Sequence, residues 1–110
     1  MPPRLAVLVL ASSISAAAGC AGQLPVLGPA DAARASQRWP GTTVAELAHG
    51  RELYVNHCAS CHKLYRPGEH PADKWRALVG EMTERAKLPP ADAETIVRYL
   101  IAAAESPPAP

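Results

Sequence analysis

The apolar residues of this 110-residue chain fall into blocks of different period. From Leu5 to Ile14 they run almost unbroken, behind Arg4 and ahead of the small-residue run Ala16-Ala17-Ala18-Gly19. A basic start, a short apolar stretch and small residues are the parts of an export signal, and this stretch is too short to remain as a membrane-crossing helix. A helical period appears later. Leu47, Tyr54 and Cys58 fall close to one face with Gly50 between them, which predicts a helix from Val44 to about His57. Thr43-Val44-Ala45-Glu46 puts a hydroxyl and a carboxylate three residues apart at its start, the pattern of a capping box. A second helix is expected from near Pro71, where a missing N–H does no harm; it carries Trp75, Leu78, Val79 and Met82 and stops before Pro89-Pro90. The third begins near Pro90 and runs to about Ala104, with Ala93, Ile96, Val97, Leu100, Ile101 and Ala104 forming one apolar stripe. No segment alternates as a strand does, so the pattern predicts an all-α fold.

Composition divides the chain further. Residues 1–19 read as a signal peptide. Residues 20–41 contain Pro25, Pro29 and Pro40 and few large apolar side chains, and read as a tether, with room for a short helix around Asp31 to Arg38 and with Trp39 available to pack back. Residues 105–110 are Pro-rich and expected to be disordered. The folded unit is then residues 42–104, a size at which a hydrophobic core alone is marginal and a disulfide, metal or prosthetic group is usually needed.

The candidate staple is Cys58-Ala59-Ser60-Cys61-His62, which reads C-x-x-C-H. Two thiols add to the two vinyl groups of a porphyrin, the two intervening residues set their separation, and His62 is placed under the iron as proximal axial ligand. A thioredoxin-like pair needs a βαβ context and a zinc site needs more Cys or His at ligand spacing; neither is visible. A Cys58–Cys61 disulfide would leave His62 unexplained. The expected cofactor is one covalent haem c, and packed between three short helices it would supply the apolar volume that the polypeptide lacks.

The remaining cysteine changes the location. Ala17-Ala18-Gly19-Cys20 resembles a bacterial lipobox, with Ala17 where Leu is most usual. The resemblance implies cleavage before Cys20 and lipid on its thiol; the competing reading is ordinary cleavage near Ala18, with Cys20 left over. The several acyl chains of a lipoprotein give stable anchoring. Exposure on the periplasmic side of a bacterial membrane is expected, and the absence of Asp after Cys20 points to the outer membrane. The net charge is +1, and loss of Arg4 with the signal leaves basic and acidic residues balanced. There is no basic stripe of the kind that nucleic acid requires.

Gly50-x-x-Leu53-Tyr54, Cys58-x-x-Cys61-His62 and Ile96-x-x-Tyr99-Leu100 together resemble a class I (mitochondrial-type) monohaem cytochrome c in a short bacterial form. The resemblance implies a small fold of three main helices around one haem, with Gly50 and Tyr54 packed against Ile96 and Tyr99. It offers the Pro67 carbonyl to the second ring N–H of His62, and it implies a Met after the motif as distal ligand. Met82, the one Met left after the signal, can play that part; otherwise it is a gap-filling core residue. An axial Met gives a high-potential electron carrier, a second His lowers the potential, and an open position permits ligand chemistry. His70 is the rival ligand, on a loop that extended would reach about 26 Å. His49 and His57 read as edge residues, and Tyr65 as cover for the haem edge. Trp39, Arg66, Lys74 and Trp75 are candidate partners of the haem propionates. The expected function is membrane-tethered electron transfer between redox proteins, as a free carrier or a fixed subunit, and not enzymatic catalysis. The alternative is a haem-based sensor or ligand-binding domain with a labile distal bond.

Overall fold

The computed structural model describes residue 3, residues 24–58 and residues 63–107. These form four α-helices and two 3-10 turns, and no strand. Helix α1 is Pro29–Ser36, α2 is Val44–Cys58, the 3-10 turns are Pro67–Glu69 and Ala72–Lys74, α3 is Trp75–Ala86 and α4 is Pro90–Ala104. No described helix is long and apolar enough to cross a membrane.

Local chemistry sets most of these boundaries. The capping box at the start of α2 is formed: the Thr43 N–H donates to Glu46 Oε2 at 2.9 Å, and the Glu46 N–H donates to Thr43 Oγ1 at 3.1 Å. Helix α3 starts later than Pro71, because that proline caps a 3-10 turn whose last residue, Lys74, leads into Trp75. It ends at Lys87, which adopts a left-handed conformation with φ 52°; its N–H and that of Leu88 cap the last carbonyls before Pro89-Pro90. Pro90 then opens α4 at a position that has no amide partner to lose.

Helix α4 is the centre of the fold and packs against α1, α2, α3 and both 3-10 turns. Its predicted stripe is buried at Ile96, Val97, Leu100 and Ile101, but so are Tyr99, Ala102 and Ala103. A second face of α4 is therefore covered, and the cover is the segment read from sequence as a tether. Leu24, Leu27, Ala32 and Ala35 are buried core residues. The Tyr99 hydroxyl donates to the Pro25 carbonyl at 2.7 Å, and Arg51 Nε donates to the Leu24 carbonyl at 3.3 Å. Among the described residues, the packed core thus includes positions as early as Leu24, ahead of the Thr42 at which the sequence placed the folded unit. The prolines obscured this, because the apolar contacts of residues 24–35 are few and small and acquire meaning only against the far side of α4. Trp39 is half-buried, with the guanidinium carbons of Arg38 and Arg98 each 5.4 Å from its ring centre.

Asp31 ties α1 to the end of α4. It accepts from the Gly28 N–H, from Arg34 and from the Ser106 hydroxyl, each at 2.8 Å. Arg38 pairs with Glu105 at 2.7 Å. Residues 105 and 106, expected in a disordered tail, are held by these contacts; 108–110 lie outside the described residues, as do Cys20 and the signal segment.

The expected crossing of α2 and α4 is present. A Cβ on Gly50 would lie 2.5 Å from the Thr95 carbonyl oxygen and 2.7 Å from Tyr99 Cβ. The missing side chain is what lets the two backbones approach.

Candidate cofactor site

Helix α3 presents Trp75, Leu78, Val79, Met82, Arg85 and Ala86 to a cavity of about 270 Å³. These positions recur at three and four residues, so they form one helix face. Tyr54, His57 and Cys58 of α2, Tyr65 and His70 of the intervening loop, and Leu88 line the cavity from the other sides. Two other cavities, of about 330 and 310 Å³, have walls that include charged side chains from the Arg38–Glu105 and Arg98–Glu94 ion pairs. Only the first joins an apolar lining to sulfur-bearing side chains.

The loop over the site is held by buried hydrogen bonds. The Tyr54 hydroxyl donates to the Tyr65 carbonyl at 2.6 Å, and Trp75 Nε1 donates to the carbonyl of buried Pro67 at 2.8 Å. Burial pushes the Tyr54 hydroxyl pKa well up, so the group remains a donor across the ordinary pH range. The rings meet edge to face: Tyr54 and Trp75 at 6.2 Å, Trp75 and His70 at 5.0 Å, His70 and Tyr65 at 5.1 Å. Such contacts add specific geometry to apolar burial.

The structure brings Cys58 and Met82 to one cavity, the first at the end of α2 and the second half-buried on α3. Cys61 and His62 lie outside the described residues. His70 lines the cavity with its ring between those of Tyr65 and Trp75, and His57, read as an edge residue, also borders it. Half-exposed Tyr65, read as cover for a haem edge, lines the cavity. Of the groups considered for propionates, Trp75 gives its N–H to Pro67, while Trp39, Arg66 and Lys74 do not line the cavity. The Pro67 carbonyl offered to His62 therefore already accepts from an indole. Arg85 was missed; its signal in the sequence is its place one turn after Met82.

These walls fit a porphyrin. They are apolar, one includes the first Cys of the C-x-x-C-H motif, and another carries a thioether, a soft ligand suited to haem iron. The family model for dihaem cytochrome c matches residues 54–109, just over half of the chain. The chain belongs to the dihaem cytochrome c family. No curated protein and no solved structure matches it. Membership makes it a c-type cytochrome, with covalently bound haem and a role in electron transport. The all-helical fold is compatible with that class. The match replaces the monohaem class I family that the sequence resembled, while keeping its haem chemistry. The matched segment of this cytochrome runs from Tyr54 through the haem motif, Met82 and α4. The 110 residues contain one C-x-x-C-H, and Cys20 is the only other cysteine.

Proposed function

We propose that this cytochrome is a one-haem electron carrier, anchored by lipid on Cys20 to the periplasmic side of a bacterial membrane, the outer one by the residue after Cys20. The observation that carries the reading is the meeting of Cys58 and Met82 at a single apolar cavity in a chain with one haem motif. Haem, when bound, supplies a one-electron iron couple. Cys58 and Cys61 would hold it by thioethers, and His62 and Met82 are the side chains that would bind its iron. The α3 face excludes water and keeps the local dielectric low. Tyr54 and Trp75 fix the loop through Tyr65 and Pro67, which limits rearrangement between oxidation states. The packing of His70 between two rings supports Met82 as the ligand. No substrate bond is made or broken, so the protein is a carrier or an electron-transfer subunit and not an enzyme. Its partners are redox proteins, met through a small transient interface.

The test is spectroscopic and potentiometric. Met82→Ala keeps the covalent haem stain and lowers the midpoint potential markedly; an unchanged potential points to His70. Ready binding of carbon monoxide by the reduced wild-type protein at neutral pH would favour the sensor alternative. Cys20→Ala releases a soluble protein that still cycles between oxidation states, and membrane retention of that variant counts against the lipid anchor.

A further inference from the structure

Among the described residues, Arg85 is the one permanent cation lining the apolar cavity, with its side chain exposed. It follows Met82 by three residues on α3, and residues so spaced share a helix face. Its surroundings differ from those of five other arginines. Arg34, Arg38, Arg76 and Arg98 each pair with a carboxylate, and Arg51 donates to the Leu24 carbonyl. Arg85 makes no ion pair or hydrogen bond with any described residue. A guanidinium beside an apolar wall gains most from an anion that enters with the apolar group.

Haem is such a group: an apolar macrocycle with two carboxylates at one edge. We propose that Arg85 is the counter-ion of a haem propionate in this cavity, and that its charge raises the reduction potential. The inference rests on the haem reading above. The indole N–H of Trp75 is taken by Pro67, and Trp39 packs between Arg38 and Arg98, away from the cavity. Glu81 and Glu84, the acidic residues of the same helix, do not line the cavity. The sign follows from charge. Oxidation adds a positive charge at the iron, which a nearby cation opposes. Removing Arg85 also leaves the propionate charge uncompensated, which favours the oxidised state.

The experiment is a mediator-coupled redox titration of the holoprotein and of R85Q and R85K, at low salt and at about 1 M salt, where the Debye length falls to about 3 Å. R85Q is expected to shift the redox equilibrium about threefold to tenfold toward the oxidised form, about 28 to 59 mV for a one-electron couple. R85K should restore at least half of that shift. Arg85 is exposed on the cavity wall, so high salt should weaken the shift but not abolish it, because the guanidinium would touch the propionate directly, and infrared redox difference spectra of R85Q should show a shifted propionate carboxylate band. An unchanged potential in R85Q, or a shift abolished by salt, overturns the proposal; the second result would turn Arg85 outward, toward a carboxylate on a partner protein. Failure of the haem reading is separable: wild-type protein without covalent haem on a denaturing gel removes both, whereas stained protein with an unshifted R85Q potential removes only the role of Arg85.

Discussion

Helices α2 and α3 both pack against α4, and they complete their apolar faces differently. Where α2 crosses α4, the chain closes on itself: Gly50 admits the Thr95 carbonyl and Tyr99 to distances at which no side chain fits. Trp75 and Val79 of α3 are buried, yet Leu78 and Met82 stay half-exposed along a cavity. Each helix buries only a few residues, Leu47, Gly50 and Tyr54 on α2 and Trp75 and Val79 on α3. In the function proposed above, what separates them is the partner, which is polypeptide for the Gly50 crossing and a covalent prosthetic group for the cavity face of α3. In a domain this small, part of the core can be delegated to a cofactor, and stability and function then share a surface.

The largest expected effect removes that cofactor. With Cys58 and Cys61 both changed to Ser, α3 should lose its packing. The loss should be comparable to the whole stability a core of this size supplies, about 3–5 kcal/mol. Hydrogen exchange would show α3 opening first and the α2–α4 crossing last. Cooperative unfolding at the wild-type temperature would erase the contrast between the helices.

Gly50→Ala acts on the other region. Forcing a Cβ into that crossing should cost about 1–3 kcal/mol, lowering the unfolding midpoint by about 4–8 °C per kcal/mol. The midpoint potential should be unchanged, because Gly50 does not border the cavity. A potential shift without a loss of stability would show that the two regions are coupled.

Asp31→Asn is the mildest. Burial raises the Asp31 pKa, but the Gly28 N–H, Arg34 and Ser106 together outweigh it and hold the carboxyl below its ordinary 3.8. A folded-state pKa below the unfolded one gives stability that is fully present above the unfolded value and lost as pH falls through the folded value. The substitution should therefore cost about 1 kcal/mol at neutral pH. Its stability should converge with that of the wild type only in acid below the folded-state pKa, which itself lies under the ordinary 3.8. A difference that persists in acid would mean that the contact works by shape and not by charge.

Much of this was readable from residues taken a few at a time. The cap at Thr43 and Glu46, the stop before Pro89-Pro90 and the stripe from Ile96 to Ile101 depend on neighbours within one or two turns, and each appears in the structure. The start of α3 was misplaced because Pro71 suits either an α-helix or a 3-10 turn at its first residue. The packing of residues 24–35 was not legible, since its partner face of α4 lies about seventy positions away, as in the Tyr99–Pro25 and Asp31–Ser106 contacts.

The sequence by itself determined the helical pattern and, through its one C-x-x-C-H motif, the expectation of covalent haem that the family match supports, because periodicity and such a motif act over a few consecutive residues. Tertiary structure decided that Leu24 and Leu27 belong to the core, that Cys58 and Met82 share a cavity, and that Arg85 stands on its wall. Those relations join segments far apart in the chain, and they exist only once α4 has gathered the other helices around it.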